Sequence, residues 1–311
     1  MKCASVFGEN FLIRMRFHIK KCLFFVAAAL LLFLPPAYLL GEKQLNASDE
    51  PVRILSNYLK AIYSRDFKQA YRFISAPDQR LKQERVYIQE RVPFTGFALE
   101  VAKKLSGFIE FVPAHTKIDD KRAQITLGFK APDMNSVGAL LSNWDEERLN
   151  TLSTKEQKKI LATIDDLKRK GKLEMIEGQE EFTLVREGLN WRLFLDWASG
   201  VKVNFATIVP SDGLIEAKPT IKETVTQPNE LFTIAYRVKN LTDKDLFARI
   251  THRVEPAILK EHLDLVECAL LLPVKLSPGE EQSYSSTYVV RGNIPEGTKH
   301  LDVTYEFKVE H

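Results

Sequence analysis

Cys268 is the side chain whose type and setting most invite chemistry. It stands in the apolar run Leu265-Val266-Glu267-Cys268-Ala269-Leu270-Leu271-Leu272-Pro273-Val274-Lys275-Leu276, which ends in the turn Pro278-Gly279-Glu280. The run predicts a strand from Cys268 to Leu276. A thiolate is a nucleophile and a soft metal ligand. A lone thiol is otherwise an intermolecular partner or a buried hydrophobe. Residues i and i+2 of a strand point to one side, so the expected same-face neighbour of Cys268 is Leu270, which offers no lone pair. His252 and His262 flank the run in sequence, and imidazole binds metals, but spacing alone sets neither beside Cys268. The other two cysteines, Cys3 and Cys22, precede or begin a long hydrophobic segment, which leaves Cys268 no disulfide partner beyond it.

That segment, Cys22 to Leu40, carries no charge. As a helix it would span about 28 Å, enough to cross a hydrocarbon core. Arg14, Arg16, Lys20 and Lys21 precede it, so the positive-inside rule predicts a cytoplasmic stretch over 1–21 and an outward-facing remainder. Pro35 and Pro36 sit in its last third. Its length and the lack of a clean small-x-small cleavage site favour a retained anchor over a signal peptide started at Met15. The expected location is a bacterial inner membrane, crossed once, with the later residues in the periplasm or on the outer face.

With 44 basic against 41 acidic residues the net charge is +3. That balance lacks the basic field of a nucleic-acid binder, and no nucleic-acid partner is expected. After a linker at 41–48, residues 49–198 read as an α+β unit. Ser48-Asp49-Glu50-Pro51 starts a helix with Val52, Leu55, Leu59 and Ile62 at helical spacing. A short helix from Asp66 ends at Pro77-Asp78. Further expectations are a helix at 97–105 and strands at 108–112 and 123–129. Ser153 to Glu156 has the capping-box form and opens another helix. A hairpin of Phe182–Arg186 and Leu189–Trp197 follows. His115 reads as a loop residue after a strand, and Asp66, Asp78 and Asp196 as caps or turns. No acid-base constellation is visible, so no catalytic residue and no enzyme activity are expected.

Ser199-Gly200 reads as a hinge into residues 199–311. There about seven short strands, with turns every 8–12 residues, predict an all-β immunoglobulin-like sandwich.

Two resemblances add to this. The phrase Tyr58-Leu59-Lys60-Ala61-Ile62-Tyr63-Ser64-Arg65-Asp66-Phe67-Lys68-Gln69-Ala70-Tyr71, with the later Trp191-Arg192-Leu193-Phe194-Leu195, resembles the cone-shaped nuclear-transport-factor-2-like superfamily. In residues 199–311, an ordered set of phrases is similar to the copper-delivering cytochrome c oxidase assembly proteins of the CtaG type. They are Val203-Asn204-Phe205-Ala206, Tyr236-Arg237-Val238-Lys239-Asn240, Arg253-Val254-Glu255-Pro256, Cys268, Leu276-Ser277-Pro278-Gly279-Glu280 and Thr304-Tyr305-Glu306-Phe307. The resemblance implies Cu(I) as cargo, Cys268 as its ligand and a cytochrome c oxidase core subunit as partner. That family holds copper with a Cys-Phe-Cys-Phe strand and a further cysteine near the membrane. Here Leu270 replaces the second cysteine, and no cysteine lies between Gly41 and Glu267. A homodimer pairing two Cys268 thiolates is one way to supply what is missing. A periplasmic ligand-binding or scaffold protein without a metal is the other reading.

Overall fold

Capping side chains start three of the helices where the chain must turn inward. In this computed structural model, residues 49–133, 136–138, 146–270 and 273–310 are described. The expected cytoplasmic stretch, anchor and linker (1–48) lie outside them. Among the described residues no helix is long and apolar enough to cross a membrane. Helix α1 spans Asp49–Tyr63. Helix α2 (Phe67–Tyr71) opens on Asp66, whose carboxylate accepts from the Gln69 N–H. The Pro77-Asp78 stop is corrected to a start. Ser75 caps α3 (Ala76–Leu81), with Pro77 in its first turn, where proline needs no N–H partner. Helices α4 (Glu84–Gln89), α5 (Gly96–Ser106) and α6 (Glu146–Thr151) follow. Helix α7 (Thr154–Arg169) carries the complete Ser153/Glu156 capping box.

These helices pack on an antiparallel sheet of four strands in sequence order: β1 (Glu110–Ile118), β2 (Arg122–Pro132), β3 (Met175–Glu187) and β4 (Asn190–Phe194). Ala123, Ile125 and Leu127 alternate inward from β2 and meet Leu55 and Ala70 of the helices. Strand β1 runs further than expected, so His115 is a strand residue paired with Thr126 rather than a loop residue, and it is exposed.

The rest of the chain forms two sheets around one shared core. One sheet has the order β10-β12-β8-β6, built from Leu263–Cys268, Glu281–Val290, Leu231–Asn240 and Ile215–Pro219. The other is β11-β9-β13-β5-β7, from Val274–Leu276, Leu246–Glu255, His300–Glu310, Val201–Ile208 and Glu223–Thr226. All pairs are antiparallel except β13 with β5. The short helical piece expected after Pro256 is a 3-10 turn at Ala257–His262. The passage at Ser199-Gly200 is closely packed: a Cβ on Gly200 would lie 2.5 Å from the Thr226 carbonyl oxygen.

Candidate functional site around Cys268

The strand expected from Cys268 to Leu276 is two strands in two different sheets. Strand β10 ends at Cys268, residues 269–270 turn, and β11 begins at Val274 in the opposite sheet. The i, i+2 argument therefore fails at Leu270. That residue is buried in the core at the turn, and its N–H donates to the Cys268 sulfur at 3.3 Å.

A β-bulge aims the thiol. The β10–β12 register shifts between Leu265 and Glu267, leaving Val266 as an extra residue. An inserted residue reverses which side the later residues face. Leu263 and Leu265 face inward before it and Cys268 after it, while Val266 and Glu267 are exposed. Strand β10 is also the edge of its sheet, so the half-buried thiol sits at the margin of the core.

Inside that margin stands a polar cluster. Ser286, paired with Cys268 across the ladder, is fully buried, and its hydroxyl lies 3.3 Å from the sulfur. The Tyr305 hydroxyl is 3.5 Å from the sulfur, 2.9 Å from Ser286 Oγ and 2.6 Å from the Tyr288 hydroxyl. One consistent proton assignment runs from Tyr288 to Tyr305 to Ser286 to sulfur, with the thiol as the accepting end. Burial first, and then neighbouring groups, push the Tyr236, Tyr288 and Tyr305 hydroxyls above the usual phenol range, so they remain donors. Tyr236 is wholly buried, and its ring centroid lies 4.4 Å from that of Tyr305.

The structure separates the two flanking histidines. His262 precedes β10 and lies six residues from Cys268, roughly 20 Å away at the strand rise. His252 is on the inward face of β9, directly paired with Tyr305 in the β9–β13 ladder. Its ring centroid is 5.2 Å from that of Tyr305 and 5.8 Å from that of Tyr288. Its Nε2 is sealed from solvent and has no partner. Among the described residues no group of three or more His, Cys, Asp or Glu is arranged to hold a metal ion. The tyrosine cluster was missed in the sequence. Its signal was present: Ser286 and Tyr288 at i, i+2 on an inward strand face, where polar atoms need partners.

Burial, followed by the charge of Lys260, holds the His252 imidazole below its ordinary pKa. The sign follows from linkage: the unfolded chain binds this proton more readily than the folded one, so stability rises with pH across the window. The contribution is fully present above the ordinary value of roughly 6.5 and is lost as pH falls below it. Urea unfolding at several pH values is expected to show a decline on acidification from pH ~7 that is shallower in His252→Phe. Identical profiles for the two proteins would mean that the imidazole is not sealed.

Comparisons with known proteins bear on the same region. The family model of the cytochrome c oxidase assembly protein CtaG/Cox11 matches residues 176–308, from β3 to near the end of β13. No curated protein matches the chain. A solved structure of Escherichia coli alpha-2-macroglobulin activated by porcine elastase aligns at 10% identity, covering 65% of this chain and 22% of that one, with a TM-score of 0.20. At that score the likeness carries no argument. None of the comparisons supports the nuclear-transport-factor-2-like resemblance of the helical part.

Proposed function

We propose that this protein acts in cytochrome c oxidase assembly as a carrier of Cu(I), with the Cys268 thiolate as the ligand that takes up and releases the ion. The match of residues 176–308 to the oxidase-assembly family carries this reading. The placement of Cys268 supports it. The thiol lies within that span, at a sheet edge, next to buried hydroxyls rather than sealed in hydrocarbon. Cu(I) favours soft donors at low coordination number, which suits a protein that must give its cargo away. The step is ligand exchange: the ion displaces the thiol proton on arrival and is passed to a donor of the receiving oxidase core subunit. No electron moves, and the only bond of the protein that changes is the S–H of Cys268, whose proton leaves to solvent as the ion binds, so the reading is of a carrier and not an enzyme. The apolar run at 22–40 would tether the carrier to the membrane with its later residues outside. Two sheets around one core are the form that an immunoglobulin-like sandwich takes, which agrees with the expected class for residues 199–311.

Leu270 at the position of the family's second cysteine favours a second reading, a docking or scaffold protein that binds no metal. Anaerobic Cu(I) titration of the full chain against a chromogenic chelator separates the two. Cys268→Ser is expected to lose more than about 100-fold in affinity. A variant that binds Cu(I) as well as the parent does would overturn the carrier reading in favour of the scaffold.

A further inference from the structure

We propose that the tip of the β3–β4 hairpin, with Leu189 at its apex and Lys121, Arg186 and Arg192 around it, is a membrane-contact site that rests in the anionic headgroup layer of a bilayer. This rests on the tether read in the run at 22–40 and says which end of the helical part faces the lipid.

Leu189 is 82% exposed, more than any other large apolar side chain among the described residues. The fold does not ask for a leucine there. Gly188 and Leu189 alone join the two strands, with Glu187 paired to Asn190. Gly188 takes the positive φ, 61°, that such a turn needs at its first central residue, and the second place ordinarily goes to a polar residue. A leucine in that place adds nothing to the core. Its surroundings widen the apolar surface: the Glu187 carboxylate accepts from the Ala76 N–H at 2.7 Å, which brings the exposed Ala76 and Pro77 beside the tip.

Positive charge collects around this apex. Arg186 is exposed and lies over the buried Trp191 ring, 5.9 Å from its centroid. Its N–H donates to the Lys121 carbonyl, which joins the β1–β2 turn to the hairpin. Arg192 follows on the other face of β4, where its guanidinium donates to the Arg72 carbonyl. The carboxylates of this end are engaged elsewhere. Asp119 accepts from the Lys121 and Arg122 N–H groups, Glu187 accepts from Ala76, and Glu50 faces Arg53 at 3.8 Å. Asp120, the remaining acid of the two turns, is outnumbered by Lys121, Arg186 and Arg192.

The place where the tether enters decides the occupant. Tyr63, the last residue of α1, donates to the carbonyl of Pro132, the last residue of β2, at 2.7 Å. Arg122, the first residue of β2, pairs with Val185, next to Arg186. Leu55 belongs to the core cluster of Ala123, Leu184 and Trp191, whereas Tyr63 belongs to that of Phe129 and Ala131. Helix α1 therefore runs along the sheet with its N-terminus toward the hairpin tip. Residues 41–48 separate it from the apolar run, and fully extended they reach at most about 28 Å. A bilayer crossed by the run is thus held close to this end. An apolar apex in a cationic collar suits such a neighbour: the leucine enters the boundary of the acyl chains while the arginines and the lysine meet phosphates. Strand β4 leads away from the tip, and the chain reaches β5 and the sandwich only beyond its other end.

The test uses the full chain in vesicles of phosphatidylcholine with about one quarter phosphatidylglycerol, with and without bromine on the acyl chains. Leu189→Trp sets a fluorophore at the open apex, and its quenching by bromine is expected to exceed that of the parent's own tryptophans at least about threefold. In that background Lys121→Gln is expected to weaken docking about fivefold, and purely zwitterionic vesicles at least as much. A chain that stays with the vesicles through an alkaline wash, yet shows no added quenching in Leu189→Trp, would overturn this proposal and leave the tether standing. A chain that washes off would remove both. Equal quenching without phosphatidylglycerol would overturn the anionic headgroup as the occupant. Absent quenching, with hairpin amides whose hydrogen exchange slows as protein density in the vesicles rises, would give the tip to a second copy of the chain instead.

Discussion

Asp78→Ala is expected to lower the unfolding free energy by about 3 kcal/mol or more, from the accumulated cost of stranded buried donors. The carboxylate is 1% exposed. One oxygen accepts from the Ser75 hydroxyl at 2.6 Å and from the Leu195 N–H at 2.8 Å, and the other accepts from the Trp197 N–H at 2.9 Å. Truncation leaves the buried Ser75 hydroxyl and Trp197 N–H, and the half-buried Leu195 N–H, without that acceptor. Asp78→Asn keeps one acceptor oxygen and should lose clearly less. Urea unfolding with an unchanged m-value reads the effect. The two backbone N–H groups belong to the segment that leads from β4 into β5, so their hydrogen exchange should speed up in Asp78→Ala. A loss below about 1 kcal/mol would mean that water reaches the carboxylate and replaces it.

Asp78 also shows where reading the sequence stops. Its type suits a cap or a turn, and of these the cap is what the chain uses, since Ser75 and Asp78 open a helix where Pro77-Asp78 reads as the end of one. What the sequence hides is that the same carboxylate binds backbone 117 and 119 residues later. Signals that act within a few residues were legible: the capping box at Ser153 and the alternation Ala123-Ile125-Leu127. Signals that depend on another strand were not. The bulge at Val266 leaves no mark in the apolar run, yet it decides that Cys268 and not Glu267 faces inward. That β10 and β11 belong to different sheets is equally silent, because the run stays apolar throughout. Cys268 itself could be found by type. His252 could be named only as a flanking residue, since its nearness to Tyr305 is a matter of ladder register.

Glu90→Ala carries the largest expected loss, about 3–5 kcal/mol, the cost of leaving a buried charge without its partner. The side chains of Lys82 and Glu90 have no exposed surface and meet at 2.8 Å. Arg91 bonds Glu90 at 3.0 Å and also bonds Glu230, which accepts from Trp197 Nε1 at 3.2 Å. The Thr224 hydroxyl donates to Glu90 as well. Burial pushes the Glu90 carboxyl up and the Lys82 ammonium down, and each holds the other charged against that push. Two acids and two bases thus join helices α3 and α4 to the turn before β8, and the Thr233 N–H donates to the Glu90 carbonyl at 2.8 Å beside them. The same contact row reaches β10: Thr233 pairs with Thr287, and Thr287 with Glu267, whose charge acts on Arg65 after α1. The network therefore fixes the helical part against the sheet that carries Cys268. Unfolding of Glu90→Ala followed by tryptophan fluorescence and by far-ultraviolet dichroism is expected to give separated transitions where the parent gives one. Lys82→Met combined with Glu90→Leu, which removes both charges, should be less damaging than Glu90→Ala alone, with Arg91 still paired to Glu230. A double variant as unstable as the sum of its single changes would show that shape, and not compensation of charge, is what the junction requires.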